Sequence, residues 1–473
     1  MDLLKNVTVK RMIGFQNVEI DHIAFDSRDV KKNTLFICLS GGAKDGREFL
    51  SDAVRSGAVA VVADRDISFD IPLLIVENAR TALSIIAGNY YGNPADRIKI
   101  VTVVGTNGKT STAEILSEIF LYAGRKVGVI GTLGYKLGKT RIAGNLTTPD
   151  PIELHRVLSE YLKEGIEYVF LEASAHAIYY DKLAGIHAKA TVFTNITQDH
   201  LDFFKTMHEY ARTKLSYFTI SNTALAVINS DDPYGRTLIA SHKVPTISYG
   251  IDNPADVFAI DITEGNGLSF TVNAFDRIAR IETPLRGRFN VSNVMAAISV
   301  AMYLGCDLPL IAKALESIPT VPGRYQAQEI NGRNVIVDFA HTPDGLENLL
   351  GGLHIERKGK ILTVFGCGGN RDKSKRPLMG AIAAKYSDFV IVTDDNPRFE
   401  EEMSIAKEIV AGMPEDTHCE IILDREKAIQ RAFSLSNEGD VVVIAGKGHE
   451  EYIEKQGRKI PYSDGEVLQK LIR

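Results

Sequence analysis

Ile98-Lys-Ile-Val-Thr-Val-Val104-Gly105-Thr106-Asn107-Gly108-Lys109-Thr110-Ser111 is the stretch that decides how the chain is built. Its first half, Ile98 to Val104, is apolar and largely β-branched and reads as a buried strand. Gly105 to Thr110 is a tight, glycine-punctuated turn. From Thr112 onward Ile115, Leu116, Ile119 and Phe120 fall at helical spacing, with Gly124 as the stop. Strand, turn and helix in that order make an anion cradle, because loop and helix N–H groups converge there and the helix dipole adds to them. In such a cradle Lys109 reaches the β- and γ-phosphates and the Thr110 hydroxyl ligates Mg²⁺, with Gly105, Thr106, Asn107, Gly108 and Ser111 completing the loop. The spacing departs from the usual pattern, since Val103 stands where its first glycine belongs. The expectation is a nucleoside triphosphate site.

The rest of the composition agrees with a soluble globular chain. Of 473 residues, 45% are hydrophobic and 24% charged, and this length predicts two to three domains. No stretch is long and apolar enough to span a bilayer, and Met1-Asp-Leu-Leu-Lys5 has no signal-peptide core. Cys38, Cys306, Cys367 and Cys419 are scattered, which fits a reducing cytoplasm better than a disulfide framework or a zinc site. A net charge of −6 argues against nucleic-acid partners, so local basic groups must hold any anionic substrate.

Outward from the loop the chain divides into three α/β units, at 1–93, 94–322 and 323–473. The first alternates strands and helices and ends in the turn-rich linker Tyr91-Gly-Asn-Pro94. The second continues with strands at Val127–Ile130, Tyr168–Leu171 and Ala190–Phe193. Asp150, Pro151 and Glu153 supply a helix start (N-cap, first-turn proline and capping-box carboxylate). Two strands end in Glu172-Ala-Ser174-Ala-His176 and Asn195-Ile-Thr-Gln-Asp199-His200. In a parallel sheet those ends lie beside the phosphate loop, where Glu172 and His200 can meet a nucleotide-bound metal. Residues 256–285 alternate around Glu264-Gly-Asn-Gly267 and predict a hairpin insert, after which a helix covers Val294–Leu304. The third unit reads as a Rossmann-like parallel sheet. Its strands end in the polar clusters Asp338-Phe-Ala-His341, Gly366-Cys-Gly-Gly-Asn-Arg371, Asp394-Asp395-Asn396-Pro397-Arg398 and Gly446-Lys-Gly-His449-Glu450, which should share one crevice.

These motifs, with Thr147-Thr148-Pro149, Pro322-Gly-Arg324 and Asp338-x-Ala-His341-x-Pro-Asp344, resemble the Mur ligases over about residues 25–465. The resemblance implies a UDP-binding domain, a central ATPase domain and a C-terminal domain that docks an amino acid. The implied reaction is ATP-dependent amide formation through an acyl phosphate in peptidoglycan synthesis, by a cytoplasmic monomer. The acceptor it implies is UDP-N-acetylmuramoyl-L-alanyl-D-glutamate. By the same matching Thr110, Glu172, His200 and a carbamoylated Lys214 hold Mg²⁺. Carbamoylation needs a neutral amine, so the Lys214 pKa must be lowered locally. Asn290 and Asn293 meet the adenine, and Arg324 and Asp338 serve the nucleotide across the domain gap. Ser27, Gly42, Ala43, Lys44, Thr147, Thr148, Ser174 and Lys182 hold the UDP-sugar dipeptide. Asp395, Asn396, Pro397 and Arg398 match the form that adds meso-diaminopimelate, and Gly446 joins them in binding the substrate. Arg398 offers a planar fork for a carboxylate that lysine's side chain lacks, Arg371 a second cation, and Glu450 a partner for the distal ammonium. L-Lysine as the added amino acid, a folylpolyglutamate-type or other Mur ligation, and a non-catalytic nucleotide-binding regulator are the alternatives.

Overall fold

The computed structural model describes residues 2–14, 18–40, 45–67 and 70–472. Strand Lys99–Val104 runs through the middle of an eleven-stranded sheet, parallel to Tyr168–Ala173 on one side and to Ala190–Phe193 on the other. All its residues after Lys99 are buried, as a strand covered on both faces must be. Val101 and Val103 face a core built with helices Lys109–Tyr122 and Phe289–Tyr303. Ile100 and Val104 face the opposite core, with helix Pro151–Lys163. Strands Ala226–Asn229 and Thr246–Gly250 continue the sheet in parallel beyond Ala190–Phe193.

Two further α/β units flank this sheet. Among the described residues the N-terminal one carries five strands, of which only the edge strand Val9–Ile13 is antiparallel. The C-terminal one carries six, ordered Gln326–Ile330, Arg333–Asp338, Val441–Ala445, Ile361–Phe365, Phe389–Val392 and Cys419–Ile421. All but the first pair in parallel. The wholly buried pair of Arg425 and Asp464, 2.8 Å apart, ties helix Arg425–Leu435 to the last helix, Asp464–Leu471.

Three local expectations are corrected. The hairpin insert is a meander of three strands, Val257–Glu264, Leu268–Ala274 and Arg277–Thr283, fused to the sheet edge. Its second turn uses Phe275 and Asp276 at positive φ (53° and 62°) in place of the Asn-Gly type that marks such turns in sequence. The helix expected from Val294 begins at Phe289, which puts Asn290 and Asn293 in its first turns. Asp150 precedes its helix as expected but makes no side-chain cap; its carboxylate pairs instead with Lys182 at 2.8 Å.

Candidate active site

The phosphate loop is fixed by backbone. Thr106 N–H donates to the Asn195 carbonyl (2.8 Å) and Asn107 N–H to Asn195 Oδ1 (2.9 Å), while Thr194 Oγ1 donates to the Asn107 carbonyl (2.6 Å). A Cβ on Gly105 would lie 1.8 Å from Thr194 Oγ1, so only glycine lets the two strand ends meet. Gly108 has φ 83°, a left-handed turn into the helix, and a Cβ there would lie 2.5 Å from Asn293 Oδ1. Lys109 is the first helical residue, and no side chain caps the helix behind Gly108. The helix's first N–H groups therefore face the loop without a side-chain partner. Lys109 Nζ arches back onto the carbonyls of Gly105 and Thr106, each at 2.9 Å.

Beside the loop Thr110 Oγ1 donates to Glu172 Oε2 at 3.1 Å. Thr132, which the sequence reading did not single out, donates to the same carboxylate through N–H (2.8 Å) and Oγ1 (3.0 Å). A hydroxyl and a carboxylate are hard oxygen donors suited to Mg²⁺, an ion that completes its shell with phosphate oxygens and water. Among the described residues no group of three or more His, Cys, Asp or Glu side chains is arranged to hold a metal ion by itself. His200 has positive φ (56°) and a buried Nδ1 without a partner. Burial, only partly opposed by Asp199, lowers its pKa to about 3, so it is neutral at pH 7, the form a metal ligand requires. Asp199 is buried too, but Lys375, His200 and His341 hold its carboxyl well below the usual range.

Lys214 is only 2% exposed. Its Nζ lies 3.5 Å from Thr106 Oγ1 and 4.5 Å from the Tyr210 ring centroid, and no described carboxylate is in ion-pair range. Burial first, and then the Lys109 charge, pushes its pKa well below the ordinary lysine value. Tyr210 OH also meets Thr106 Oγ1 (3.1 Å), so the loop, the ring and the amine form one buried cluster.

The C-terminal unit closes over this edge. Arg324 Nη2 donates to Thr110 Oγ1 at 3.2 Å, its guanidinium 4.4 Å from the Phe339 ring centroid. Asn107 Nδ2 donates to Asp344 Oδ2 at 2.7 Å, and Gln198 reaches Asp372 (3.1 Å) and Ser374 (2.9 Å). Asp338 accepts the N–H groups of Tyr325 and Ala340, both at 2.6 Å, and so holds the Arg324 loop. Asn293 Nδ2 donates to Asn290 Oδ1 (2.9 Å) directly behind Gly108.

On the next strand ends Thr147 Oγ1 lies 3.2 Å from Thr132 Oγ1, and Thr148 donates to the Glu172 carbonyl (2.7 Å) and accepts Ser174 N–H (3.0 Å). Ser27 opens the turn Ser27–Asp29 in the N-terminal unit and makes no side-chain hydrogen bond to a described residue. Gly42, Ala43 and Lys44 lie outside the described residues.

The polar clusters of the C-terminal sheet are contiguous. Asn396 Nδ2 donates to Glu450 Oε2 (2.8 Å), which also accepts Lys447 Nζ (2.8 Å). A Cβ on Gly446 would stand 2.8 Å from Asp395 Oδ2, and one on Gly369 would meet the Pro397 carbonyl. Arg398 Nη1 donates to the Gly369 carbonyl at 2.8 Å. Arg371 is exposed, yet close enough to His176 and His200 for its charge to help depress both. Glu454 was missed from sequence because nothing in its spacing marks it, and Lys447, inside the Gly446–Glu450 cluster, was given no role.

Fold and loop define a P-loop nucleotide-binding chain with a Rossmann-like C-terminal sheet over its active edge. Family models match along it: "Mur ligase family, catalytic domain" at 19–99, "Mur ligase middle domain" at 103–301 and "Mur ligase, glutamate ligase domain" at 323–448. The chain belongs to the Mur ligase family. It is 42% identical to UDP-N-acetylmuramoyl-L-alanyl-D-glutamate–2,6-diaminopimelate ligase of Syntrophomonas wolfei, covering 100% of this chain and 99% of that one. With the protein of the same name from Aquifex aeolicus it shares 40% identity, covering 97% and 95%. A solved structure of a ligase of that name is similar with a TM-score of 0.71 at 31% identity, covering 97% of this chain and 96% of that one. The MurF ligase of Thermotoga maritima, solved in complex with ADP, shares the fold (TM-score 0.65, 22% identity, 97% and 98% covered). Among the described residues no helix is long and apolar enough to cross a membrane.

Proposed function

We propose that this chain is the ATP-dependent ligase that joins meso-diaminopimelate to UDP-N-acetylmuramoyl-L-alanyl-D-glutamate in peptidoglycan synthesis, working in the cytoplasm on soluble precursors. The three sheets are read as three domains, 1–93 for the UDP-sugar, 94–322 for ATP and 323–473 for the amino acid. The observation that carries the reading is the meeting of two sites. A phosphate loop with Lys109, Thr110 and Glu172 is met by Arg324 from the C-terminal unit, whose sheet edge brings Asn396, Arg398 and Glu450 together.

The chemistry follows from the groups present. The γ-phosphoryl group of ATP passes to the glutamyl carboxylate, ADP leaves, and the amine of diaminopimelate attacks the acyl carbon. Phosphate leaves with the C–O bond, and the nitrogen loses a proton as the amide forms. Lys109 and the helix N-terminus hold the phosphates and offset the charge that builds on the transferring group, the main source of catalysis in such reactions. Bound Mg²⁺ would supply further charge neutralisation, with Thr110 and Glu172 holding one ion and His200 helping to hold another. Lys214 is read as a carbamate, a carboxylate-like ligand made from CO₂; its burial without a carboxylate partner favours the neutral amine that this capture needs. Thr147, Thr148, Ser174 and Lys182 hold the dipeptide. Asn290 and Asn293 lie under the adenine, with Arg324 bridging from the C-terminal side. Arg398 and Arg371 face the distal carboxylate of diaminopimelate, and Glu450 its ammonium.

The test is phosphate release by the purified protein with ATP, Mg²⁺ and the UDP-dipeptide, offering meso-diaminopimelate and L-lysine separately and weighing the product. Release and a tripeptide product with diaminopimelate alone are expected. Equal turnover of lysine would remove Arg398 from its role, and release with neither would point to another acceptor.

A further inference from the structure

The short hairpin of strands Tyr452–Lys455 and Arg458–Pro461 is separate from all three sheets, and no residue in it belongs to the motifs read from sequence. It turns through Gln456 and Gly457, both at positive φ (50° and 71°), a two-residue turn whose twist suits a hairpin. One edge of it is docked on the Asp395–Arg398 loop. Arg398 N–H donates to the Glu454 carbonyl (2.9 Å), and Gln456 N–H donates to the Arg398 carbonyl (2.7 Å). Glu454 N–H donates to Asn396 Oδ1 (2.8 Å), which fixes that amide with its nitrogen toward Glu450. The Glu454 carboxylate, finally, accepts Arg398 Nε at 3.1 Å.

These contacts matter because Arg398 is in an unfavourable conformation. Its φ is 54°, where a long side chain seldom sits unless its surroundings impose it. Both its backbone polar groups are taken by the hairpin. Its guanidinium is held at two points, Nε on Glu454 and Nη1 on the Gly369 carbonyl, leaving Nη2 without a hydrogen-bond partner among the described residues. A planar fork with two positions pinned has its remaining donors aimed in one direction.

We propose that the 452–461 hairpin is the template that sets amino-acid selectivity, with Glu454 the positioning residue that aims Arg398 Nη2 at the distal carboxylate of the incoming diamino acid. This rests on the reading of Arg398 under Proposed function. Glu454 touches no substrate atom; it acts through Arg398 and Asn396.

Kinetics of Glu454→Ala and Glu454→Gln, with each substrate varied in turn, test it. Glu454→Ala should raise KM for meso-diaminopimelate about tenfold, the loss of one hydrogen bond to a charged group, leaving kcat and the KM values for ATP and UDP-dipeptide near wild type. Glu454→Gln keeps an acceptor for Nε and should recover most of that loss. Discrimination against L-lysine should fall in the alanine variant, because lysine has no distal carboxylate to lose. An unchanged KM for diaminopimelate in Glu454→Ala would overturn the proposal. So would equal loss for all three substrates, or a glutamine variant no better than alanine. If the wild-type protein itself fails to use diaminopimelate, the reading of Arg398 falls and the proposal with it. A null result in the variants alone overturns only the hairpin's role.

Discussion

The phosphate loop and the Asp394–Arg398 loop both lie at the carboxyl ends of parallel strands, and they are held in different ways. In the first, what is held is chiefly the loop's own backbone groups, by Thr194 and Asn195. Glycines at 105 and 108 admit Thr194 and Asn293 at distances no side chain would tolerate, and strand ends adjacent in the sheet supply the partners. In the second, the loop's side chains are held as well as its backbone. Asn396 and Arg398 are fixed by Lys447, Glu450 and Glu454, which follow some fifty residues later from another strand end and a hairpin. A backbone cradle suits a ligand recognised by its phosphates, common to every nucleotide. A side-chain crevice suits one that must be told from a close analogue, because each contact can be altered singly.

If this contrast is right, substitutions at the two edges separate in kinetics. Lys109→Met should have the largest effect, a fall in kcat of about 10³-fold with the fold intact, since charge on the transferring phosphoryl group loses its main protein partner. A melting temperature at the wild-type value, together with lost phosphate release, would establish this. Lys214→Ala should follow, with kcat down about 10²-fold. If the residue works as a carbamate, a short carboxylate such as formate restores part of the rate and the wild-type rate depends on dissolved CO₂. A rate indifferent to both would leave Lys214 a packed lysine. Arg398→Lys should act at the other edge only, raising KM for diaminopimelate about tenfold while KM for ATP stays, because a point charge replaces a planar fork.

The same contrast explains what could be read from sequence. Strand Lys99–Val104, the loop and the helix were legible because local pattern dictates them, and so were the strand ends at Glu172, His200, Asp338 and Arg398. Thr132 and Tyr210 were not, because each takes its place through contacts with residues far along the chain, chiefly Glu172 and Thr106 respectively. The Glu454 hairpin escaped for a similar reason: its Gln456-Gly457 turn is short and its docking uses backbone groups common to all residues. The meander at 257–283 was half seen, its first turn being glycine-marked and its second not.

The smallest effect is in pH dependence, where the two edges differ in sign. At the phosphate edge His200 is held neutral, its pKa lowered by burial to about 3 from an ordinary value near 6.5. The unfolded chain therefore binds more protons between those values, and this group's contribution to stability is full above pH 6.5 and declines as pH falls. At the C-terminal edge Asp394 is shifted the other way. Burial, with Glu402 and Asp395 adding repulsion, pushes its carboxyl up to about 7. The folded chain then binds more protons between about pH 4 and 7, so the contribution of Asp394 is full below about pH 4 and is lost as pH rises through 7. Asp394→Asn removes that titration while keeping a similar shape. Measured by thermal melting, the variant should gain stability relative to wild type at pH 8 and lose most of that gain at pH 5. An equal offset at both values would mean that Asp394 is ionised throughout and that the crevice is better solvated than its burial implies.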